Sequence, residues 1–197
     1  TTSIYKRYFK VPIIYWISDL WPENLMATGK RIPKLVLNAI SKYAKSVYEK
    51  GDVICVNSPA YIDNLKAKGV PDTKLKYIPD SADSNIFYPA SYNQAIAKKY
   101  KMENKFNMVY GGNIGKVQEL EVFISVANQL RNFEKFQIVF IGDGTELIKL
   151  KRLANEFSLN NVKFISRKPF EEISEYFGLA DVLFLHLNSL PVFKKQF

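Results

Sequence analysis

The 197-residue chain is long enough for one ordinary domain or two small ones. Apolar residues make up 47% and charged residues 24%, a globular composition that excludes disordered and fibrous classes. The net charge of +9 favours an anionic partner, whether a nucleotide, a phospholipid surface or nucleic acid.

That charge is spread rather than gathered into a tail. Residues 1–90 hold 13 Lys and Arg against 8 Asp and Glu, and residues 91–197 hold 15 against 11. No RNA-recognition aromatic motif, zinc-finger spacing or basic zipper is present, so nucleic acid ranks below nucleotide and membrane surface. The single cysteine, Cys55 in "DVICVNS", rules out an intrachain disulfide and fits a reduced, cytosolic setting. It reads as a small buried hydrophobe. No apolar run reaches the length that spans a bilayer. The chain opens "TTSIYKRYFK" without Met and ends "LPVFKKQF" just after a strand-like run, which reads as a piece cut from a longer protein. "IYKRYFK" suits a solvated helix face slightly better than an anionic lipid surface.

In chain order, "VPIIYWIS" is a continuous apolar run and predicts a strand covered on both faces. "RIPKLVLNAISKYAKSVYEKG" places apolar residues at helical spacing, with Gly51 as a C-terminal cap. "DVICVNS" predicts a strand. Ser58-Pro59 opens a helix that Gly69 closes, and "KLKYIP" predicts a third strand. "DSADSNIFYPASYNQ" lacks periodicity and is the best linker candidate. A helix near 91–101 follows. Then strands "FNMVYGG", "FQIVFIG", "NVKFIS" and "DVLFLHL" alternate with helices in "QELEVFISVANQLRN", "GTELIKLKRLANEFS" and "PFEEISEYFGLA". The expectation is an α/β fold of two Rossmann-like parallel-sheet domains, residues 1–88 and 89–197, each incomplete.

Ligands of open parallel sheets sit beyond the carboxyl ends of the strands. After "FNMVY" come Gly111, Gly112, Asn113, Ile114, Gly115 and Lys116. Glycines there let backbone N–H groups approach an anion, and Lys116 adds a point charge, as a diphosphate cradle requires. The same residues also suit a plain tight turn. After "FQIVFI" come Gly142, Asp143 and Gly144. Thr145 suits a helix cap, and Asp143 suits an Asx turn. After "VPIIYWIS" come Asp19 and Trp21, where Asp19 suits a hydroxyl of a sugar or acceptor, or a helix cap. Arg167 and Lys168 follow "NVKFIS". His186 is the only histidine, so no His-based metal site is possible, and it reads as a core or strand-edge residue.

Taken in order, "DLWPEN", "VICVNSPAYIDNLKAKGV", "KLKYIPDSADSNIFYP", "MVYGGNIGKVQELEVFISVA", "IVFIGDGTELIKLKRLA" and "NVKFISRKPFEEISEYFGLADVLFLHL" resemble glycosyltransferase family 4, of the GT-B fold, across essentially the whole chain. The nearest resemblance is to the subgroup that builds capsule and lipopolysaccharide O-antigen. The resemblance implies two Rossmann-like domains facing a cleft, the first taking the acceptor and the second a nucleotide sugar, usually UDP-linked. It implies retention of anomeric configuration, no metal and no other cofactor. It implies a lipid-linked saccharide acceptor at the cytoplasmic face of the membrane, with peripheral membrane contact. On this chain "GGNIGK" falls where the family meets the donor diphosphate, "GDG" near the nucleotide and "RKP" near the base. The donor-binding set is then Gly111, Gly112, Asn113, Gly115, Lys116, Gly142, Gly144 and Arg167. "SDLWPE" falls at the cleft rim, with Asp19 and Lys116 as the catalytic pair. The chain departs from the family in reading Ser18-Asp19 where a His-acid pair is usual, and Asp80-Ser81-Ala82-Asp83 where Asn-Gly-Val-Asp is usual. It stops before the family's spaced glutamate pair, so the piece by itself is expected to be inactive. Two other readings are a nucleotide-binding module without catalysis and a sugar-nucleotide epimerase of the same fold. A single histidine weakens the epimerase.

Overall fold

The computed structural model describes residues 2–27 and 31–189, so the terminal "LPVFKKQF" lies outside the described residues. The chain divides into two compact units, one ending at Ser81 and the other running Ala82–Asn188. Every strand pairing in both is parallel.

The first unit contains α1 (Thr2–Phe9), β1 (Ile14–Ile17), α2 (Glu23–Ala27), α3 (Lys34–Lys50), β2 (Val53–Val56), α4 (Pro59–Ala67) and β3 (Leu75–Tyr77). Its sheet runs β1-β2-β3. Ile54 and Val56 of β2 and Leu75 of β3 form one core with Ala44 and Tyr48 of α3 and Tyr61 and Leu65 of α4. Each fully buried Ile or Leu there stabilises the fold by about 1.5–3 kcal/mol. The opposite face stays open at β1, where Ile14 is 67% and Trp16 51% exposed. The unbroken apolar run therefore does not mark a strand covered on both faces, because both core-forming helices lie over one side. Gly51 follows α3 but is extended, with φ −68° and ψ 142°, so it is not a left-handed cap. Its role is space, since a Cβ there would stand 2.8 Å from the Tyr15 ring.

The second unit contains α5 (Gln94–Tyr100), β4 (Phe106–Asn113), α6 (Glu121–Gln129), β5 (Phe136–Asp143), α7 (Leu147–Glu156), β6 (Val162–Ile165), α8 (Phe170–Phe177) and β7 (Val182–Leu183). Its sheet runs β6-β5-β4-β7, so the chain steps to one side of β4 and returns on the other. That reversal is where such sheets open a crevice. Alternate residues of β5 serve two cores. Ile138 and Phe140 meet Ile124, Ala127, Leu150 and Ala154 of α6 and α7. Val139 and Ile141 meet Ala97 of α5, Met102, Tyr176 of α8 and Leu179. The result is a three-layer α/β/α unit.

Three local expectations change. The run 181–187 pairs as a strand only at Val182–Leu183. Beyond it Phe184 turns its ring onto Phe123, 4.2 Å between centroids, and His186 Nδ1 lies 2.7 Å from the Gln118 carbonyl. The Phe184 N–H still donates to the Val109 carbonyl of β4 at 3.0 Å, and the regular pairing stops there. Thr145 does not cap α7. Glu146 stands at that position without a side-chain cap, and its N–H donates to the Ile114 carbonyl at 3.0 Å. The segment read as a linker is docked on α8. The buried Ser174 hydroxyl donates to the Ile86 carbonyl (2.7 Å) and accepts from the Tyr88 N–H (3.1 Å).

Asn107 ties this unit together from inside. Its buried amide donates to the carbonyls of Met102 and Leu179, both at 3.0 Å, and accepts from Gln137 Nε2 at 2.7 Å. Its backbone N–H donates to Asp181 Oδ2 at 2.7 Å. Removing such a side chain strands several buried partners at once. Asn107→Ala is expected to cost about 2–3 kcal/mol in urea denaturation. A loss under about 0.5 kcal/mol, the range of ordinary surface changes, would show that the network is dispensable.

Candidate functional site

β4 and β5 end level with each other, paired through Gly112↔Gly142 and Asn113↔Asp143. Their backbones touch there. A Cβ on Gly142, which has φ +148°, would lie 1.9 Å from the Gly112 carbonyl oxygen, and one on Gly144 would lie 2.3 Å from the Ile114 carbonyl oxygen. No side chain fits at either place, so glycine is required by contact. Hydrogen bonds then lock the turns together. The Ile114 N–H donates to the Asp143 carbonyl (2.8 Å), and the Gly115 N–H donates to Gln118 Oε1 (3.2 Å). Two of the amides that the sequence assigns to an anion cradle, those of Ile114 and Gly115, are thus already bonded within the loop.

A cavity of about 390 Å³ opens beyond these strand ends. Gly111, Gly112, Asn113, Gly142 and Arg167 line it, together with Asp143, Lys168 and Phe87. Gly115, Lys116 and Gly144 do not line it. Lys116 is exposed at the start of the short 3-10 turn Lys116–Gln118. Phe177 of α8 fills the space beside Gly111, where a Cβ would meet its ring at 2.4 Å. Lys168 is held in place by two tyrosines. Its ammonium donates to the Tyr100 hydroxyl (3.2 Å) and sits 5.1 Å from the Tyr176 ring centroid. The Tyr100 and then the Tyr176 hydroxyl raise its pKa, which keeps it charged. The wall therefore offers the held cation Lys168, the exposed cation Arg167, one carboxylate and close backbone, the set a phosphate-bearing ligand with a flat base would use.

Phe87 and the tyrosine pair escape sequence reasoning. Phe87 belongs to a stretch without periodicity, and its ring meets Phe170 at 6.3 Å only in the folded unit. Lys168 had one signal, its place beside Arg167.

In the first unit, Asp19, exposed beyond β1, accepts from Asn24 Nδ2 at 2.5 Å. Beyond β2 and β3, Asn57 donates to Asp80 Oδ2 at 2.7 Å. Glu23 anchors the loop after Asp19. Lys68 pairs with it at 2.8 Å, and Asn64 Nδ2 donates to it at 3.4 Å. Burial alone would raise the Glu23 pKa, but the Lys68 ammonium and these hydrogen bonds outweigh it and hold the carboxyl below its ordinary value of 4.5.

Residues 92–190, 99 of the 197, match the family described as Glycosyl transferases group 1. The chain belongs to that family. The chain is 25% identical over 165 residues to the alpha-galactosylglucosyldiacylglycerol synthase of Streptococcus pneumoniae (strain ATCC BAA-255 / R6), covering 79% of this chain and 43% of that protein. It is 25% identical over 166 residues to the probable glycosyltransferase WbjE of Pseudomonas aeruginosa, covering 83% and 41%. The chain thus spans less than half the length of these curated relatives. Its fold matches the GT-B glycosyltransferases. Against Anabaena Alr3699/HepE in complex with UDP and glucose the TM-score is 0.71 at 16% identity, over 92% of this chain and 48% of that one. Against WaaG, a glycosyltransferase involved in lipopolysaccharide biosynthesis, the TM-score is 0.65 at 14% identity, over 94% and 56%. Among the described residues, no helix is long and apolar enough to cross a membrane.

Gly142→Ala should force the two strand ends apart and cost about 3 kcal/mol or more in chemical denaturation, in the tail reserved for severe steric changes. Alanine tolerated within about 0.5 kcal/mol would refute the contact. The Glu23 pair gives a pH signature with a definite sign. A depressed carboxyl contributes stability above its unfolded pKa, and that contribution is lost as pH falls through the folded value. Denaturation midpoints should therefore drop as pH is lowered beneath 4.5. Lys68→Ala should flatten that drop and cost about 1 kcal/mol at neutral pH, after solvent screening of a half-exposed pair. An unchanged pH profile in Lys68→Ala would mean the pair does not hold the loop.

Proposed function

We propose that this chain is part of a retaining glycosyltransferase of family 4 that moves a hexosyl or N-acetylhexosaminyl group from a UDP-linked sugar to a lipid-linked saccharide, in the capsule and O-antigen type of cell-surface polysaccharide synthesis. The carrying observation is the cavity at the carboxyl ends of β4 and β5, where paired glycine turns and the cations Arg167 and Lys168 surround a space of about 390 Å³. That volume lies within the range of small-ligand sites. The UDP complexes of HepE and the glycolipid product in the pneumococcal relative's name support the donor and acceptor classes.

In this reading the second unit holds the donor through the cavity residues Gly111, Gly112, Asn113, Gly142 and Arg167, with Gly115, Lys116 and Gly144 in the turns beyond the cavity wall. The first, within residues 1–88, serves the acceptor. The chemistry is electrostatic. As the bond from sugar to diphosphate breaks, negative charge grows on the leaving oxygen, and fixed cations there lower the barrier. Arg167 and Lys168 in the cavity wall supply that charge, so no step calls on a metal or other cofactor. Asp19 in the first unit suits hydrogen bonding to an acceptor hydroxyl; attack of that hydroxyl on the leaving-group side, with its proton passing to the departing diphosphate oxygen, retains configuration. The exposed Ile4, Tyr5, Tyr8 and Phe9 of α1, interleaved with Lys6 and Arg7, suit peripheral contact with the anionic inner face of a cytoplasmic membrane.

Calorimetric titration of the chain with UDP, and with GDP for comparison, tests the donor assignment. UDP should bind in the micromolar to sub-millimolar range, and Arg167→Ala or Lys168→Ala should each weaken it about tenfold, the loss of one charge-assisted contact. A folded chain that ignores UDP, or variants that bind it as tightly as the parent, would sink the reading.

A further inference from the structure

A second cavity, of about 400 Å³, lies in the same unit at the amino ends of β4, β5 and β6. It sits at the far end of the sheet from the glycine turns, roughly 23 Å away along the eight residues of β4. Ligands of open α/β sheets bind at the carboxyl ends, so this cavity is separate from the site above.

Four cations converge on it from three segments: Lys101 and Lys105 from the connection between α5 and β4, Arg131 from the connection between α6 and β5, and Lys163 from β6. Glu134 is the one acid in its wall. These charges are not spent inside the protein. The Lys105 ammonium donates to the backbone carbonyl of Glu134, not to its carboxylate. Among the described residues, the side chains of Lys101, Arg131 and Lys163 make no ion pair or hydrogen bond. Elsewhere Lys6, Lys66, Lys68 and Lys149 each face a carboxylate.

Lys163 is half-buried in the cavity wall. Burial, and then the ammonium groups of Lys101 and Lys105, push its pKa down. A charge held there beside its own kind costs folding stability, and an anion among the four would relieve it. The remaining wall is mixed, with the amides of Gln137, Asn160 and Asn161 beside two aromatic rings. Phe136 stacks on Phe106, and Phe133 is 63% exposed.

We infer that this cavity binds a phosphate-bearing ligand, its phosphoryl group held among Lys101, Lys105, Arg131 and Lys163 and its uncharged part lying on Phe133 and Phe136. Four cations around one space call for more than a single negative charge, and the Arg131 fork matches two phosphoryl oxygens. The ligand is either a soluble phosphate compound or the headgroup of an anionic lipid. The inference does not rest on the glycosyl-transfer reading.

The experiment is amide NMR of the full chain titrated with inorganic pyrophosphate. Saturable shifts at Lys101, Lys105, Asn161 and Lys163 are expected. The double variant Lys163→Gln with Arg131→Gln should weaken them about tenfold or more. It should stay folded, because it removes like-charge repulsion, and the exposed single variant Lys101→Gln provides a second check. Shifts confined to residues 111–113 and 142–144, no shifts at all, or equal affinity in all three proteins would overturn the site. Vesicles of phosphatidylglycerol against phosphatidylcholine then separate the sources. Co-sedimentation with the former that pyrophosphate competes away, and that the double variant loses, assigns the lipid headgroup. Pyrophosphate binding without vesicle binding assigns a soluble phosphate compound.

Discussion

The architecture at the carboxyl end of the second sheet depends on one contact, the backbone of β5 at Gly142 against the carbonyl of Gly112 in β4, with 1.9 Å left for a Cβ that is not there. Because nothing stands between the strands, the ladder continues through Asn113 and Asp143. Both strands then end at one level, and their turns face the same cavity. The Ile114 N–H to the Asp143 carbonyl and the Glu146 N–H to the Ile114 carbonyl fasten each turn to its neighbour. The rim is therefore organised before any ligand arrives, and ordering it adds nothing to the cost of binding.

The parts of this arrangement that could be read from the sequence are those with a short-range cause. "FQIVFIG" announces a central strand because every position from Gln137 to Gly142 is buried, and burial on two faces leaves an unbroken apolar run. The glycines at 111, 112, 142 and 144 announce strand ends for the same local reason. What could not be read depends on a partner distant in the chain. The apolar run at β1 looks like a covered strand, yet only the fold decides that no helix supplies a core on the side of Ile14 and Trp16. Residues 82–91 look like a linker, yet Ser174 captures their backbone. Gly51 looks like a helix cap, yet its lack of a side chain serves the ring of Tyr15. Phe177 beside Gly111 and the tyrosine pair around Lys168 belong to the same class.

The positive charge of the chain divides by how it is held. At the carboxyl end of the second sheet, Lys168 rests between two tyrosines and keeps its charge through their hydroxyls. A cation fixed in this way loses little freedom when an anion arrives, which suits a site where charge develops during a reaction. At the amino end, Lys163 meets burial and repulsion together and has no carboxylate to offset them. Composition alone reports a single excess and cannot tell these situations apart.

The buried amide network connects the amino-end cluster to the rest of the unit. Gln137 Nε2 donates both to the Lys101 carbonyl (3.2 Å) and to Asn107 Oδ1 (2.7 Å), and Asn107 in turn grips Met102 and Leu179. The backbone of Lys101, held left-handed at φ 56°, is thus pinned from within by the central strand of the sheet. A left-handed lysine is strained where glycine or asparagine would not be. A network that holds it so, beside three other cations, places its charge on a rigid element instead of a free loop. Sites built on rigid elements hold their geometry better than sites on loops. The same hydrogen bonds that close the core around α5 and α8 therefore also anchor the backbone that carries Lys101.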